Sequence, residues 1–216
     1  WPTFWTQFFG AFNDNVYKNA LVVLITYKSL TISGLGPESM VAICGGIFIL
    51  PFFLFSALAG QISDKYPKHR LMFLIKVWEI FVMILGAVGF YMGSLHLLLF
   101  TLFFMGLQSA FFGPVKYSIL PEIVTDDELV QGNALVEMGT FVAILLGTLV
   151  GGILISIDGR GELYVGFSVL IFAIVGTLFS KKITPLEKRN RNLKISFGLF
   201  RPTLEIIKIT KKVKSV

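Results

Sequence analysis

The stretch Phe12-Asn13-Asp14-Asn15, with Lys18 and Asn19 close behind, lies inside a hydrophobic run from Phe4 to Leu30. A carboxylate or ammonium at the centre of a bilayer costs roughly 2.5–3.5 kcal/mol on insertion scales. Asp14 and Lys18 are four residues apart, so on a helix they stack one above the other. Gln7, Gly10 and Ala11 share that face and extend it into a polar or small stripe. Such a stripe must face protein or water, never lipid. Two readings stay open here: an ion pair that only locks two helices together, or a place on a solute pathway.

The rest of the chain is built for a membrane. A mean hydropathy of +0.78, with 55% hydrophobic and 15% charged residues, excludes an ordinary soluble domain. A hydrocarbon core of about 30 Å needs about 20 helical residues. Six apolar stretches reach that length, near 4–29, 40–62, 71–92, 95–119, 129–156 and 163–180. They predict an all-α membrane protein, a six-helix bundle over 1–180. Cys44 sits within the second stretch without a partner and reads as a packing residue, while His69 and His96 have no ligand spacing. No metal site or cofactor is expected.

Charge placement orients the bundle. Lys65, Lys68 and Arg70 crowd the loop after the second span, and Lys181, Lys182, Lys188, Arg189, Arg191 and Lys194 follow the sixth. The opposite loops carry only Lys28 and Arg160. The positive-inside rule then predicts a cytoplasmic N-terminus. Residues 181–216 are expected to form a basic cytoplasmic linker. Within it, Pro202 would open an amphipathic helix with Leu204, Ile207 and Val213 on its apolar side. Beside a membrane span such a basic tail signals topology and contact with anionic lipid, not nucleic acid. Six spans and a linker of this kind read as the first half of a longer transporter, with groups of three spans as in inverted-repeat carriers.

Several shorter patterns have mechanical readings. Gly139, Ala143, Gly147 and Gly151 place a small residue at every fourth position, a ladder that admits a second backbone at close range. Thr125 and Glu128 have the spacing of a capping box that opens the fifth span. Lys76 and Glu79 stand a turn apart; Lys76 is expected to snorkel to the cytoplasmic surface and Glu79 to pair with it. Lys116 and Glu137 lie in the cytoplasmic halves of their spans, so a cavity there would offer both signs of charge. That suits a zwitterionic or anionic headgroup better than a purely apolar drug.

Residues 60–70, Gly-Gln-Ile-Ser-Asp-Lys-Tyr-Pro-Lys-His-Arg, resemble the signature loop of the major facilitator superfamily. Gly60, Asp64, Lys65 and Lys68 match it; Pro67 replaces its second glycine, and His69 stands at a basic position with Arg70 next. The resemblance implies a conformational latch at Gly60, Asp64, Lys65, Lys68 and Arg70. Three further stretches, 12–15, 113–122 and 132–137 leading into 143–147, are similar to the LplT-type lysophospholipid transporters of Gram-negative inner membranes. That likeness implies the N-terminal half of a twelve-helix fold. It also implies alternating-access movement of lysophosphatidylethanolamine, with lysophosphatidylglycerol as a second candidate, toward the cytoplasmic leaflet of a bacterial inner membrane for re-acylation. Asn13, Asp14, Asn15, Lys18, Lys116 and Glu137 become candidate pathway residues, with Phe8, Phe9, Phe111 and Phe112 as apolar liners. Implied partners are the lysophospholipid, membrane lipids, a C-terminal six-helix half, and in some relatives an acyltransferase with an acyl-carrier-protein synthetase. The alternatives are a generic facilitator for a small soluble solute or drug, and the membrane anchor of a transporter–acyltransferase fusion. The chain has no His-x-x-x-x-Asp pair, so no catalysis is expected in this segment.

Overall fold

In the computed structural model, which describes residues 1–28, 34–186 and 195, the described residues are helical with short connections. The order is α1 (Pro2–Lys28), α2 (Pro37–Lys65), α3 (Lys68–Met92), α4 (Leu95–Ser118), a single turn α5 (Leu120–Ile123), a 3-10 turn (Asp126–Glu128), α6 (Leu129–Ile155) and α7 (Gly161–Ser180). Five helical segments are long and apolar enough to cross a membrane: Pro37–Lys65, Lys68–Met92, Leu95–Ser118, Asp126–Ile155 and Gly161–Ser180. The sixth long helix, α1, has 27 residues, but its polar stripe makes it less apolar than the others. The amphipathic helix expected around Pro202 and the cations Lys188, Arg189, Arg191 and Lys194 lie outside the described residues.

Local chemistry sets the helix ends. Pro37 opens α2 at a position whose N–H would have no helical partner. Pro67 closes it, because the residue before a proline is pushed into extended backbone, and Tyr66 has φ −103° and ψ 154°. Gly93 ends α3 in the left-handed region at φ 60°, with the Ser94 N–H returning to the Gly89 carbonyl at 3.0 Å. Before α6 the Thr125 N–H donates to the Glu128 carboxylate at 3.3 Å, the back-bond of a capping box. Pro51 and Pro114 each sit within a continuous helix, α2 and α4 respectively.

Packing divides the bundle into close pairs: α1 with α6 and α7, α2 with α4, and α3 with α4 and α7. The α1–α6 pair is parallel and held in register by the small-residue ladder. A Cβ on Gly139 would strike the Phe4 ring, one on Gly147 the Phe12 carbonyl, and one on Gly151 the Val16 carbonyl. Ala143 is fully buried between them. Contact at this range, backbone against backbone, leaves no room for a longer side chain. Gly106 plays the same part for α2 and α4, facing the Phe48 carbonyl.

Replacing Gly147 with Leu is therefore expected to destabilise the bundle by overpacking, on the order of 1–3 kcal/mol or more. Thermal unfolding in detergent checks this; Gly113→Leu, where a Cβ meets nothing within 4 Å, is the matched control.

Candidate functional site

The polar stripe of α1 opens on a cavity of about 350 Å³ walled by α1, α2, α3, α4 and α6. Counting about 1.5 Å per residue from the end that carries Lys65 and Lys68, Asp14, Glu79, Gln108 and Thr140 all lie roughly 15–18 Å deep. That is half of a hydrocarbon core of about 30 Å, where unpaired charge is most costly. Its wall carries the carboxylates of Asp14 and Glu79 and the ammonium groups of Lys18, Lys76 and Lys116. Phe48, Phe52 and Phe112 supply an apolar side.

Glu79 is the hub. Its Oε2 accepts from Lys76 Nζ at 2.5 Å and from Gln108 Nε2 at 3.0 Å, while its Oε1 accepts from Asn13 Nδ2 at 3.1 Å. Three helices thus converge on one carboxylate. Lys76 does not snorkel as expected: it is 0% exposed. Its stem runs through a slot made by two glycines, since a Cβ on Gly176 would lie 2.8 Å from Nζ and one on Gly10 would lie 3.3 Å away. The buried ammonium has its counter-ion one helical turn along, and Glu79 is itself satisfied by amide donors.

Asp14 and Lys18 do not form the ion pair considered above. Asp14 Oδ2 accepts from the Ser109 hydroxyl at 2.8 Å, whereas Lys18 Nζ lies over the Phe48 ring at 4.5 Å. Asp14 Oδ1 is buried without a protein hydrogen-bond partner, an acceptor on the cavity wall. Asn15 also lines the cavity, its amide tied to the Ala11 carbonyl at 2.7 Å. Asn13 turns toward α3 instead and leaves the wall. Lys116 reaches the cavity and is held by the Thr140 hydroxyl at 2.9 Å and by Glu137 at 3.2 Å. Glu137 itself lies outside the lining, half-exposed, and accepts from the Tyr117 hydroxyl at 2.9 Å.

Of the aromatic liners anticipated, Phe112 takes that place. Phe8 and Phe9 stack instead among Trp5, Phe12, Phe172 and Phe179 along α1 and α7. Phe48 and Phe52 of α2, with Gln108, Ser109 and Thr140, were not legible as site residues. Uncharged polar side chains in long apolar runs give no signal until packing aims them at a partner.

The loop with the latch signature is pinned to the end of α4. Lys68 is 3% exposed and pairs with Glu122 of α5 at 2.5 Å, and the Ser63 and Ser118 hydroxyls meet at 2.9 Å. His69 Nδ1 accepts the Leu186 N–H at 2.9 Å, tying the chain after α7 to the same end. Lys65 stacks near the Tyr66 ring, while Asp64 and Arg70 are exposed. Gly60 faces open space.

Removing one partner of the buried Lys76–Glu79 pair is expected to cost about 3–5 kcal/mol, because the other charge is stranded. Lys76→Met alone should therefore lower thermal stability more than Lys76→Met combined with Glu79→Gln. The second change removes the stranded charge and keeps one oxygen for Gln108, while its NH2 faces Asn13, whose amide can turn its otherwise unpartnered oxygen to accept. A double-mutant cycle in detergent reads the coupling.

Comparison with known proteins places this geometry. The sequence profile of the Major Facilitator Superfamily matches residues 3–214. The chain is 32% identical over 173 residues to a protein of Enterobacter sp. (strain 638) named lysophospholipid transporter LplT, covering 80% of this chain and 41% of that one. A protein of the same name from Photorhabdus laumondii is 30% identical over 190 residues, covering 88% and 45%. One from Citrobacter koseri is 31% identical over 177 residues, covering 82% and 42%. The chain thus spans less than half the length of these curated relatives. With a match along nearly its whole length, the chain belongs to the Major Facilitator Superfamily.

Proposed function

We propose that this chain forms the N-terminal six-span half of a lysophospholipid transporter in a bacterial inner membrane. The observation that carries this is a mid-depth cavity in which Asp14, Lys18 and Lys116 face the Phe48, Phe52 and Phe112 rings. Lys76 and Glu79 neutralise one another, and Lys116 is shared with the half-exposed Glu137. Asp14 and Lys18 face the cavity with no salt bridge among the described residues, and Lys116 is the further cation a ligand would have to draw from Glu137. A phosphate suits Lys18 and Lys116, and the amine of lysophosphatidylethanolamine suits the free Oδ1 of Asp14. A lysophospholipid is the substrate class named for the relatives above.

In this reading α1 is the sixth span, and α1–α3 and α4, α6 and α7 are inverted three-helix repeats. The N-terminus is cytoplasmic, because Lys65, Lys68, Arg70, Lys181 and Lys182 gather at one end of the bundle. A second six-helix half completes the cavity. Movement runs by alternating access toward the cytoplasmic leaflet, where re-acylation removes the product. Gly60, Asp64, Lys65, Lys68 and Arg70 form the latch, in which the buried Lys68–Glu122 pair holds the loop rigidly against α4. Asp64 and Arg70 are left to meet the opposite half.

The test is uptake of labelled lysophosphatidylethanolamine by proteoliposomes containing the full-length protein. Asp14→Asn is expected to lower uptake at least about tenfold, equivalent to about 1.4 kcal/mol of lost interaction, with insertion and yield unchanged. Unaltered uptake in this variant removes Asp14 from the pathway. Absence of uptake by well-inserted wild type overturns the substrate class.

A further inference from the structure

A second cavity, of about 250 Å³, lies between α1 and α2 and is floored by α4. Leu21, Val41, Cys44, Ile49 and Leu102 line it, and Lys18 is the only charged residue in its wall among the described residues. Lys18 and Phe48 belong to the walls of both cavities. They touch as a cation over a ring, with Nζ 4.5 Å from the ring centre, so this pair stands between a polar chamber and an apolar one. Measured from the end of the bundle opposite Lys65, the apolar chamber spans roughly 6–18 Å of depth. It therefore continues the polar cavity toward the other membrane face.

Ordinary helix packing does not explain the space. Leu21, Cys44 and Leu102 are buried at its floor, yet α1 and α2 barely touch. Gly45 adds to the room, since a Cβ there meets nothing within 4 Å. A long-chain amphiphile fits the pair of chambers in one way: charged end among Lys18, Lys116 and Asp14, chain past Phe48 among the aliphatic side chains.

We propose that the α1–α2 pocket is the seat of the substrate's single acyl chain, with Lys18 at the boundary between headgroup and chain. This rests on the lysophospholipid reading above and adds to it a chain-length selectivity site. Rotation of Lys18 off Phe48, toward a substrate phosphate, opens the neck between the chambers.

The experiment uses the full-length protein in proteoliposomes and a lysophosphatidylethanolamine carrying a diazirine within its acyl chain. After photolysis the labelled peptides are mapped by mass spectrometry. The expected result is saturable labelling of residues 18–22 and 41–49, suppressed by unlabelled lysophosphatidylethanolamine and not by glycerophosphoethanolamine. Labelling confined to other surfaces, or not suppressed by competitor, overturns the proposal; it would mean that bulk lipid or the opposite half covers this pocket. In a second arm, Gly45→Leu narrows the chamber and is expected to cut uptake of long-chain lysolipid by about tenfold while sparing short-chain lysolipid. Equal loss for both chain lengths counts against the pocket. Uptake is scored separately in the same vesicles: saturable labelling without uptake keeps the pocket and removes transport, and uptake without such labelling does the reverse.

Discussion

Everything in this bundle depends on the cost of leaving a charge unpaired where water is scarce. Glu79 sits at mid-depth and is 1% exposed; a carboxylate left there without partners would carry its full desolvation penalty. Lys76, Asn13 and Gln108 come from α3, α1 and α4 to satisfy it. Meeting that requirement fixes how these helices rotate relative to each other. Once α1 is rotated to point Asn13 at Glu79, its next residue, Asp14, must face the cavity. The polar cluster is therefore divided between adjacent residues: Asn13 packs on Glu79 while Asp14 lines the cavity.

The small-residue contacts make this rotation possible. The parallel ladder of Gly139, Ala143, Gly147 and Gly151 brings the α6 backbone against α1, which puts Gln7 within 2.8 Å of the Val136 carbonyl and 3.1 Å of the Thr140 hydroxyl. Thr140 in turn steadies Lys116. Gly10 and Gly176 serve differently: they leave a slot for the Lys76 stem. Dispersion at such close approach replaces the hydrophobic driving force that helices lack in lipid. The glycines of the packing faces and the charges of the cavity are thus parts of one design. Loosening the first would displace the second.

The cluster at the end of the bundle that carries Lys65 and Lys68 follows the same logic with less burial. Lys68–Glu122 and Ser63–Ser118 bind the α2–α3 loop to the end of α4. A rigid loop of this kind can move only with its bundle. Its exposed charges, Asp64 and Arg70, are carried on that rigid support.

The sequence by itself determined the all-helical class and the apolar segments long enough to cross a membrane, five of which the structure holds as helices, because hydrophobic length and Pro, Gly or capping signals act locally. It also determined that α1 must turn a polar face away from lipid, since the penalty for the alternative depends on residue type alone. The spacing of the α6 ladder was legible for the same reason, though not the helix it meets. Only tertiary structure decided which polar residues face the cavity and which face each other. Asn13 and Asp14 are equally polar neighbours, yet their directions differ by about 100° on a helix, and packing against Glu79 chooses between them. Lys76 read as a snorkelling surface cation because its distance from the helix end permits that. The slot between Gly10 and Gly176, from two other helices, buries it instead. Contacts that join residues far apart in the chain carry no local mark, so Ser109 on Asp14 and Lys18 over Phe48 could be settled only by folding.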